Sequence, residues 1–365
     1  MNEVRDFDSV QPIWNSLVEK TRFSNNVFLT YDWLSIWWKH FGGQRKLFLL
    51  TAEENDEVIG IAPLMFSKYK FPALGTIRKI EFVGTRHSDY NDFIVSRSES
   101  YVLSQFMNYI SNREKWDWIE LKEIPENNNL KDLLTDVSSN FDLKQRVCNL
   151  CPYVALPKKF DTLRRTFGKN LRQNLNRYVR KISHNHNLEL KRYDEAGFSP
   201  KEAMNLLIKM HNQKWRSEGK PGAFADENFR DFHRDVAECM AQKDWLAIYF
   251  LTLDGEPIAS QYNFEYSGKM YYYLAGFLPE YADFSVGNLL IMFLLKRCIE
   301  RGFTEYDMTR GDERYKMQWT SRTRKNYEVR LVRKKLTSEL YNWITWGPAV
   351  EGIATRLGIS MKKSS

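Results

Sequence analysis

The chain has 365 residues, 43% of them hydrophobic and 15% aromatic, which excludes a disordered polymer and leaves room for two domains with buried cores. Its formal net charge of +8 and pI near 9.1 point to a polyanionic ligand, whether a phosphorylated cofactor, a nucleic acid or an anionic membrane surface, without choosing among them. The N-terminus, MNEVRDFDSV, carries three acids and no apolar segment, so it does not read as a secretory leader. The longest strongly apolar run, Leu289 to Leu295, falls far short of the roughly 20 residues that a membrane-spanning helix needs. Cys148, Cys151, Cys239 and Cys298 form no disulfide framework for a protein of this size, and a cytoplasmic location is expected. Cys148 and Cys151 make a C-x-x-C, but His184 and His186 follow without zinc-ligand spacing, so no metal is expected.

In chain order, residues 12 to 41 read as helical, with Trp33, Trp37, Trp38 and Phe41 recurring on one face up to Gly42-Gly43, and that aromatic face reads as core packing. Strands follow at Lys46 to Ala52 and Val58 to Ser67, joined by a turn in a hairpin pattern, and a third at Ile77 to Val83. Gly84 and a polar loop then lead to Phe93 to Val95, a helix from about Tyr101 to Asn112 and a strand from Trp118 to Leu121.

The same order recurs in the second half. Leu246 to Leu253, Ile258 to Tyr266 and Met270 to Ala275 read as strands, followed by Gly276, a loop, an apolar helix closed by Gly302, and Glu305 to Met308. Tyr90-Asn91-Asp92-Phe93-Ile94-Val95 matches Tyr281-Ala282-Asp283-Phe284-Ser285-Val286 at four of six positions, an offset of 191, and Gly84 lies 192 before Gly276. Embedded in one order of elements, these matches predict two copies of one α/β unit. Between the copies, Leu163, Phe167, Leu171, Leu175, Tyr178 and Ile182 recur at helical spacing, and the other sides of this amphipathic helix carry Arg164, Arg165, Lys169, Arg172, Arg177, Arg180 and Lys181. This face either is solvated or meets an anionic partner. Further helices are predicted over Lys201 to Gly219, with His211 and Trp215, and over Glu227 to Gln242.

Ser285 to Lys316 is the stretch richest in chemistry. A helix starting at Ser285-Val286-Gly287-Asn288 presents unsatisfied backbone N–H groups of partial positive charge, which either receive a pyrophosphate or are merely capped. The polar cluster Arg310-Gly311-Asp312-Glu313-Arg314-Tyr315-Lys316 follows the last strand.

Two copies of this unit with a basic helical insertion resemble the GCN5-related N-acetyltransferase (GNAT) fold in duplicated form. More narrowly, the chain resembles the CelD-like (cellulose biosynthesis protein) acetyltransferases, relatives of the FemAB aminoacyltransferases. The resemblance is carried by Phe28-Leu29-Thr30-Tyr31-Asp32-Trp33-Leu34, Cys151-Pro152-Tyr153 with Leu156-Pro157, Lys169-Asn170-Leu171-Arg172-Gln173-Asn174-Leu175, His211 to Trp215 with Gly219, and Tyr306-Asp307 to Arg310-Gly311-Asp312-Glu313 with Tyr315-Lys316. It implies an α/β fold of mixed sheets in two tandem acyl-CoA N-acyltransferase domains: 1–150, degenerate; 151–335, with the helical insertion at about 160–243; and a helical tail at 336–365.

It also implies an N-acyltransferase that moves an acyl group from acyl-CoA, such as acetyl-CoA, to an amine or hydroxyl of a small molecule or saccharide. Acyl transfer from a thioester needs a base for the nucleophile's proton, a donor for the oxyanion and an acid for the thiolate. The resemblance places the thioester between strands that end near Asp307. Asp307 and Asp312 or Glu313 then stand as base and Tyr315 as acid, while Ser285, Val286, Gly287, Asn288, Arg310 and Lys316 stand as cofactor-binding residues. For Asp307 the alternative is anchoring Arg310 or a turn, and for Tyr315 simple packing. Asp89, Asp92, His211 and Trp215 are candidates for contacting the acceptor, with backbone satisfaction by the aspartates and a structural role for His211 as the alternatives. The usual paired glycines of the pyrophosphate loop are missing, since only Gly287 stands between Ser285 and Asn288. An aminoacyl-tRNA donor held by the basic helix 163–182, or a non-catalytic module for an anionic ligand, remain the other readings.

Overall fold

The structure, a computed structural model, describes residues 2–4, 6–21, 24–71, 75–112, 116–127 and 141–333. The helical tail expected at 336–365 lies outside the described residues. Contacts divide the chain into two compact units: Met1–Cys148 together with the segment from Asn326, and Asn149–Lys325.

In the first unit, β1 (Asn2–Val4), β2 (Lys46–Glu54), β3 (Glu57–Phe71) and β4 (Gly75–Phe82) form an antiparallel run. A two-residue strand, β5 (Ile94–Val95), adds to β3. Helix α3 (Glu99–Ser111) then returns the chain to β6 (Trp118–Pro125), which lies parallel to β4. The helix lays Val102, Leu103, Phe106 and Ile110 on Phe48, Ile80, Phe82 and Ile119 to make the core. The helical stretch expected over 12–41 is two helices, α1 (Gln11–Glu19) and α2 (Tyr31–Phe41). Asn26 and Thr30 separate them by turning their side chains onto Phe28 N and Trp33 N, so each caps the turn that follows it instead of extending α1.

The chain passes between the units within β7 (Phe141–Ala155) and β13 (Thr323–Arg333). From Asn326 onward β13 pairs antiparallel with β6, which closes the first unit with residues more than 200 positions beyond β6.

The second unit contains α4 (Phe160–Thr166), α5 (Lys169–Ile182), β8 (Leu188–Arg192), α6 (Pro200–Ser217), α7 (Glu227–Gln242), β9 (Leu246–Leu253), β10 (Glu256–Tyr266), β11 (Lys269–Phe277), α8 (Val286–Glu300), β12 (Glu305–Asp307) and α9 (Arg314–Met317). Its strand order is β7-β12-β11-β10-β9-β8, with β11 and β12 parallel. Three antiparallel strands, a helix and a strand returning parallel to the third thus recur in both units, as the repeated order predicts. The two hairpins share their chemistry as well. Asn55-Asp56 and Asp254-Gly255 all take positive φ, the geometry that matches strand twist in a two-residue turn. The mixed α/β fold and its duplication are therefore as expected.

The single amphipathic helix expected over Leu163–Ile182 is instead α4 and α5. Phe167 and Gly168 take extended dihedrals between them, and the Phe167 ring packs edge-on to Trp319 at 5.1 Å, so burial of that ring wins over helix continuity. One glycine is dictated by packing: a Cβ on Gly276 would meet His211 N at 2.3 Å and Met210 C at 2.7 Å, because α6 lies with its backbone directly on β11.

Candidate active site

Pairing between β11 and β12 covers only Lys269–Tyr271 against Glu305–Asp307. Beyond it, β11 runs on to Phe277, while Met308 N turns to Pro152 O of β7. The strands therefore part after Asp307, and Thr309 bridges the start of the gap by donating its hydroxyl to Tyr272 O at 2.7 Å.

Hydroxyl groups gather there. The Tyr315 and Tyr272 hydroxyls lie 3.1 Å apart, and Tyr306 donates to Gln261 Oε1 at 2.7 Å. Tyr315 is 38% exposed, yet its hydroxyl end is turned inward onto Tyr272. Burial, then the Tyr272 hydroxyl, push its pKa well above the usual 10.0. Burial raises Tyr272 and Tyr306 as well. These phenols keep their protons throughout the physiological range, so they act as donors.

The carboxylates sort differently. Asp307 is 2% exposed; its Oδ1 accepts from Thr309 N at 2.8 Å and its Oδ2 from Arg324 Nη1 at 3.3 Å. It thus holds the turn at the strand end, with Arg324 as a cationic partner. Asp312 and Glu313 are exposed. Lys316 is buried, donating to Arg310 O at 2.7 Å and Gly311 O at 3.3 Å and pairing with Glu313 at 3.0 Å. Its ammonium staples the loop from within, and Gly311, at φ +101°, supplies the turn that the staple closes.

Helix α8 starts openly. Ser285 takes left-handed φ of 53°, no side chain caps the helix, and its first turn holds no acid. A Cβ on Gly287 would meet nothing within 4 Å, so neither packing nor φ demands glycine there and the space beside this residue is open. Asn288 donates Nδ2 to Ser285 Oγ at 3.1 Å and accepts from Gln318 Nε2 at 3.0 Å. That last contact ties the helix start to the residue that follows α9, the short helix bearing Tyr315. The structure thus links the helix start at Ser285 and Asn288, through Gln318, to the segment that carries Tyr315 and Lys316. In the first unit, Ser98 (φ 52°) stands before α3 as Ser285 stands before α8. The hexapeptide match therefore pairs a strand, Ile94–Val95, with a helix start. The first residue of α3 is Glu99, a carboxylate where an incoming phosphate would need positive potential.

His211 on α6 is 2% exposed. Its Nδ1 donates to Ala275 O at 2.9 Å and its Nε2 accepts from Ala223 N at 3.3 Å, which fixes a neutral ring. Burial pulls its pKa down to about 4. Since the folded value lies below the unfolded 6.5, the unfolded chain binds the extra proton between those values, and stability falls as pH drops from about 6.5 towards 4. His211→Gln is expected to flatten that part of the melting-temperature profile; a slope unchanged from wild type would show that another group carries it. Trp215 lies half-buried, with Lys214 Nζ 3.6 Å above its ring. Asp89 and Asp92 belong to the first unit and are buried there. Asp89 O accepts from Asn326 Nδ2 at 2.8 Å, while the Asp92 carboxylate takes Ser24 Oγ and, at 2.7 Å, Phe93 N.

Residues 169–317 match the acetyltransferase (GNAT) domain family. The match lies within the second unit and spans most of it. No curated protein matches the sequence. Among solved structures, FemX is similar at a TM-score of 0.65 with 13% identity, covering 94% of this chain and 100% of that one. The C-terminal domain of a putative lysylphosphatidylglycerol synthetase from Agrobacterium fabrum is similar at 0.55 and 11%, with coverage of 92% and 95%. L-PGS from Bacillus licheniformis is similar at 0.55 and 14%, with 93% and 96%. At these identities the likeness establishes the fold, including its duplication over nearly the whole chain.

Sequence reasoning did not single out Tyr272, Gln261 or Gln318, and it named Tyr306 only within the Tyr306-Asp307 motif, without a role. Tyr272 and Tyr306 sit in strands whose alternation reads as core, and only the hydroxyl contacts with Tyr315 and Gln261 set them apart.

Proposed function

We propose that the second unit transfers an acyl group from acyl-CoA to an amine or hydroxyl of a small molecule or saccharide, in keeping with the CelD-like resemblance and a place in polysaccharide or cell-envelope synthesis. The reading rests on the strand split, where Tyr272 of β11 meets Tyr315 of α9 and Gln318, just after α9, is tied to the open start of α8. The pyrophosphate of the donor lies on the N–H groups of Val286 and Gly287, and the thioester enters the gap between β11 and β12. The acceptor's nucleophile attacks the thioester carbonyl, the carbon–sulfur bond breaks, and Tyr315 delivers its proton to the departing thiolate, the base for the nucleophile being one of the exposed carboxylates Asp312 and Glu313 or water. The elevated phenol pKa keeps Tyr315 in its protonated form, so the departing sulfur meets a hydrogen-bond donor and not a phenolate.

The test is release of CoA thiol from acetyl-CoA on addition of a pooled extract of amine-bearing and saccharide metabolites. Release that depends on the extract is expected; a chain that binds acetyl-CoA yet releases no thiol with any fraction sinks the reading. Aminoacyl transfer from aminoacyl-tRNA is the second reading, and the basic segment over α4 and α5 together with the likeness to FemX supports it. Binding of tRNA that weakens with salt, without binding of acetyl-CoA, favours it.

A further inference from the structure

Residues 158–182 hold nine lysines and arginines against one acid, Asp161, a balance equal to the formal net charge of the whole chain, +8. The break at Phe167-Gly168 shapes part of this segment into a concave cleft of about 440 Å³, lined by Asp161, Arg164, Arg165, Lys169, Arg172 and Asn176 among others. Among the described residues no ion pair within 4 Å involves these four cations, and Arg164 reaches only Asn176 Oδ1, at 2.9 Å. Several cations elsewhere in the same unit do find acids: Arg192 pairs with Asp194 and Asp244, Arg301 with Glu265, and Arg324 with Glu305. A face that is merely solvated mixes its charges and bulges outward. Here four cations of one sign converge on a hollow, where their mutual repulsion is relieved when an anion enters.

We propose that the α4–α5 cleft is a second anion site that takes the phosphate or diphosphate group of the acceptor. The proposal rests on the acyltransferase reading, which gives the donor's pyrophosphate to α8, a helix that lines no part of this cleft. Guanidinium groups suit the ligand because their planar forks meet phosphate oxygens two at a time. The cleft accommodates a single phosphorylated head. Such a head comes either from a soluble phosphorylated metabolite or from an anionic lipid, and the recognising chemistry is the same.

The experiment titrates inorganic pyrophosphate calorimetrically into full-length wild type, Gly287→Glu, Arg165→Gln/Arg172→Gln and Lys169→Gln proteins, with acetyl-CoA titrated into each in parallel. Gly287→Glu, with the α8 start blocked, is expected to retain one pyrophosphate site. The double variant is expected to bind pyrophosphate at that site at least about tenfold more weakly, Lys169→Gln several-fold more weakly, and both with acetyl-CoA affinity unchanged. Arg165 and Lys169 are exposed and Arg172 is half-buried, so melting temperatures near that of the wild type accompany these changes. Sedimentation with phosphatidylglycerol vesicles, competed by pyrophosphate, identifies a lipid head; retained pyrophosphate binding without vesicle binding identifies a soluble acceptor. Equal pyrophosphate affinity in wild type and the double variant overturns the proposal, as does a cleft that binds duplex RNA but no pyrophosphate. Failure of the acyltransferase reading shows separately, as no acetyl-CoA binding to any of the four proteins.

Discussion

Replacing Tyr315 with Phe lowers the rate of acyl transfer about a hundredfold, the lower end of what a positioned proton donor contributes, and leaves acetyl-CoA affinity as in wild type. The substitution removes one oxygen and keeps the ring, which packs at 6.5 Å and 63° against Tyr272. Its effect therefore reports on the hydroxyl alone. Loss confined to kcat marks an interaction made only as the thiolate leaves. Because burial and Tyr272 hold this phenol above 10.0, the wild-type rate should show no alkaline fall attributable to it below about pH 10. Tyr272→Phe removes the partner but not the donor and should cost less. Steady-state rates with acetyl-CoA and an accepted acceptor give both numbers, and a Tyr315→Phe protein of unchanged kcat returns Tyr315 to packing.

Gly287→Glu abolishes acetyl-CoA binding, whereas Gly287→Ala preserves it. The clear space around a Cβ at this position separates the two effects. Alanine adds a methyl group into the open and improves helix propensity. Glutamate sets a flexible negative charge against the N–H groups that the pyrophosphate needs, and a carboxylate at a helix start stabilises the helix itself. The variant thus folds at least as well as wild type while losing its ligand. Unchanged acetyl-CoA affinity of Gly287→Glu in calorimetry moves the cofactor away from α8.

The elements whose burial follows a clean period were legible in the sequence. Leu246–Leu253 and Glu227–Gln242 have in the structure the bounds that their patterns predict. β8 was not read from the sequence although Leu188 and Leu190 alternate with Glu189 and Lys191, because its five residues are half-buried at the sheet edge and form only a short, charge-rich stretch. β13 reads as polar because Glu328 and Arg330 are buried as ion partners of Arg146, Lys122 and Glu120 instead of facing water. The site was legible at its two ends, the helix start at Ser285 and the cluster after Met308, since both lie within one continuous stretch. Its middle depends on register: Tyr272 meets Tyr315 across 43 positions and Gln318 meets Asn288 across 30, and no local pattern carries such pairings. Lys316 and Asp307 show the opposite limit. Their residue types suit phosphate binding and proton abstraction, but the structure engages the first with loop carbonyls and the second with Arg324.

The central claim is that the second unit holds acyl-CoA at the start of α8. Thermal unfolding of the full chain with and without acetyl-CoA tests it most directly, with Gly287→Glu as the control. At a concentration 100 times its dissociation constant, the ligand should add about 2.7 kcal/mol to wild-type stability and raise its melting temperature, while leaving Gly287→Glu where it was. A melting temperature of the wild type that acetyl-CoA does not move, or one that rises equally in both proteins, contradicts the account.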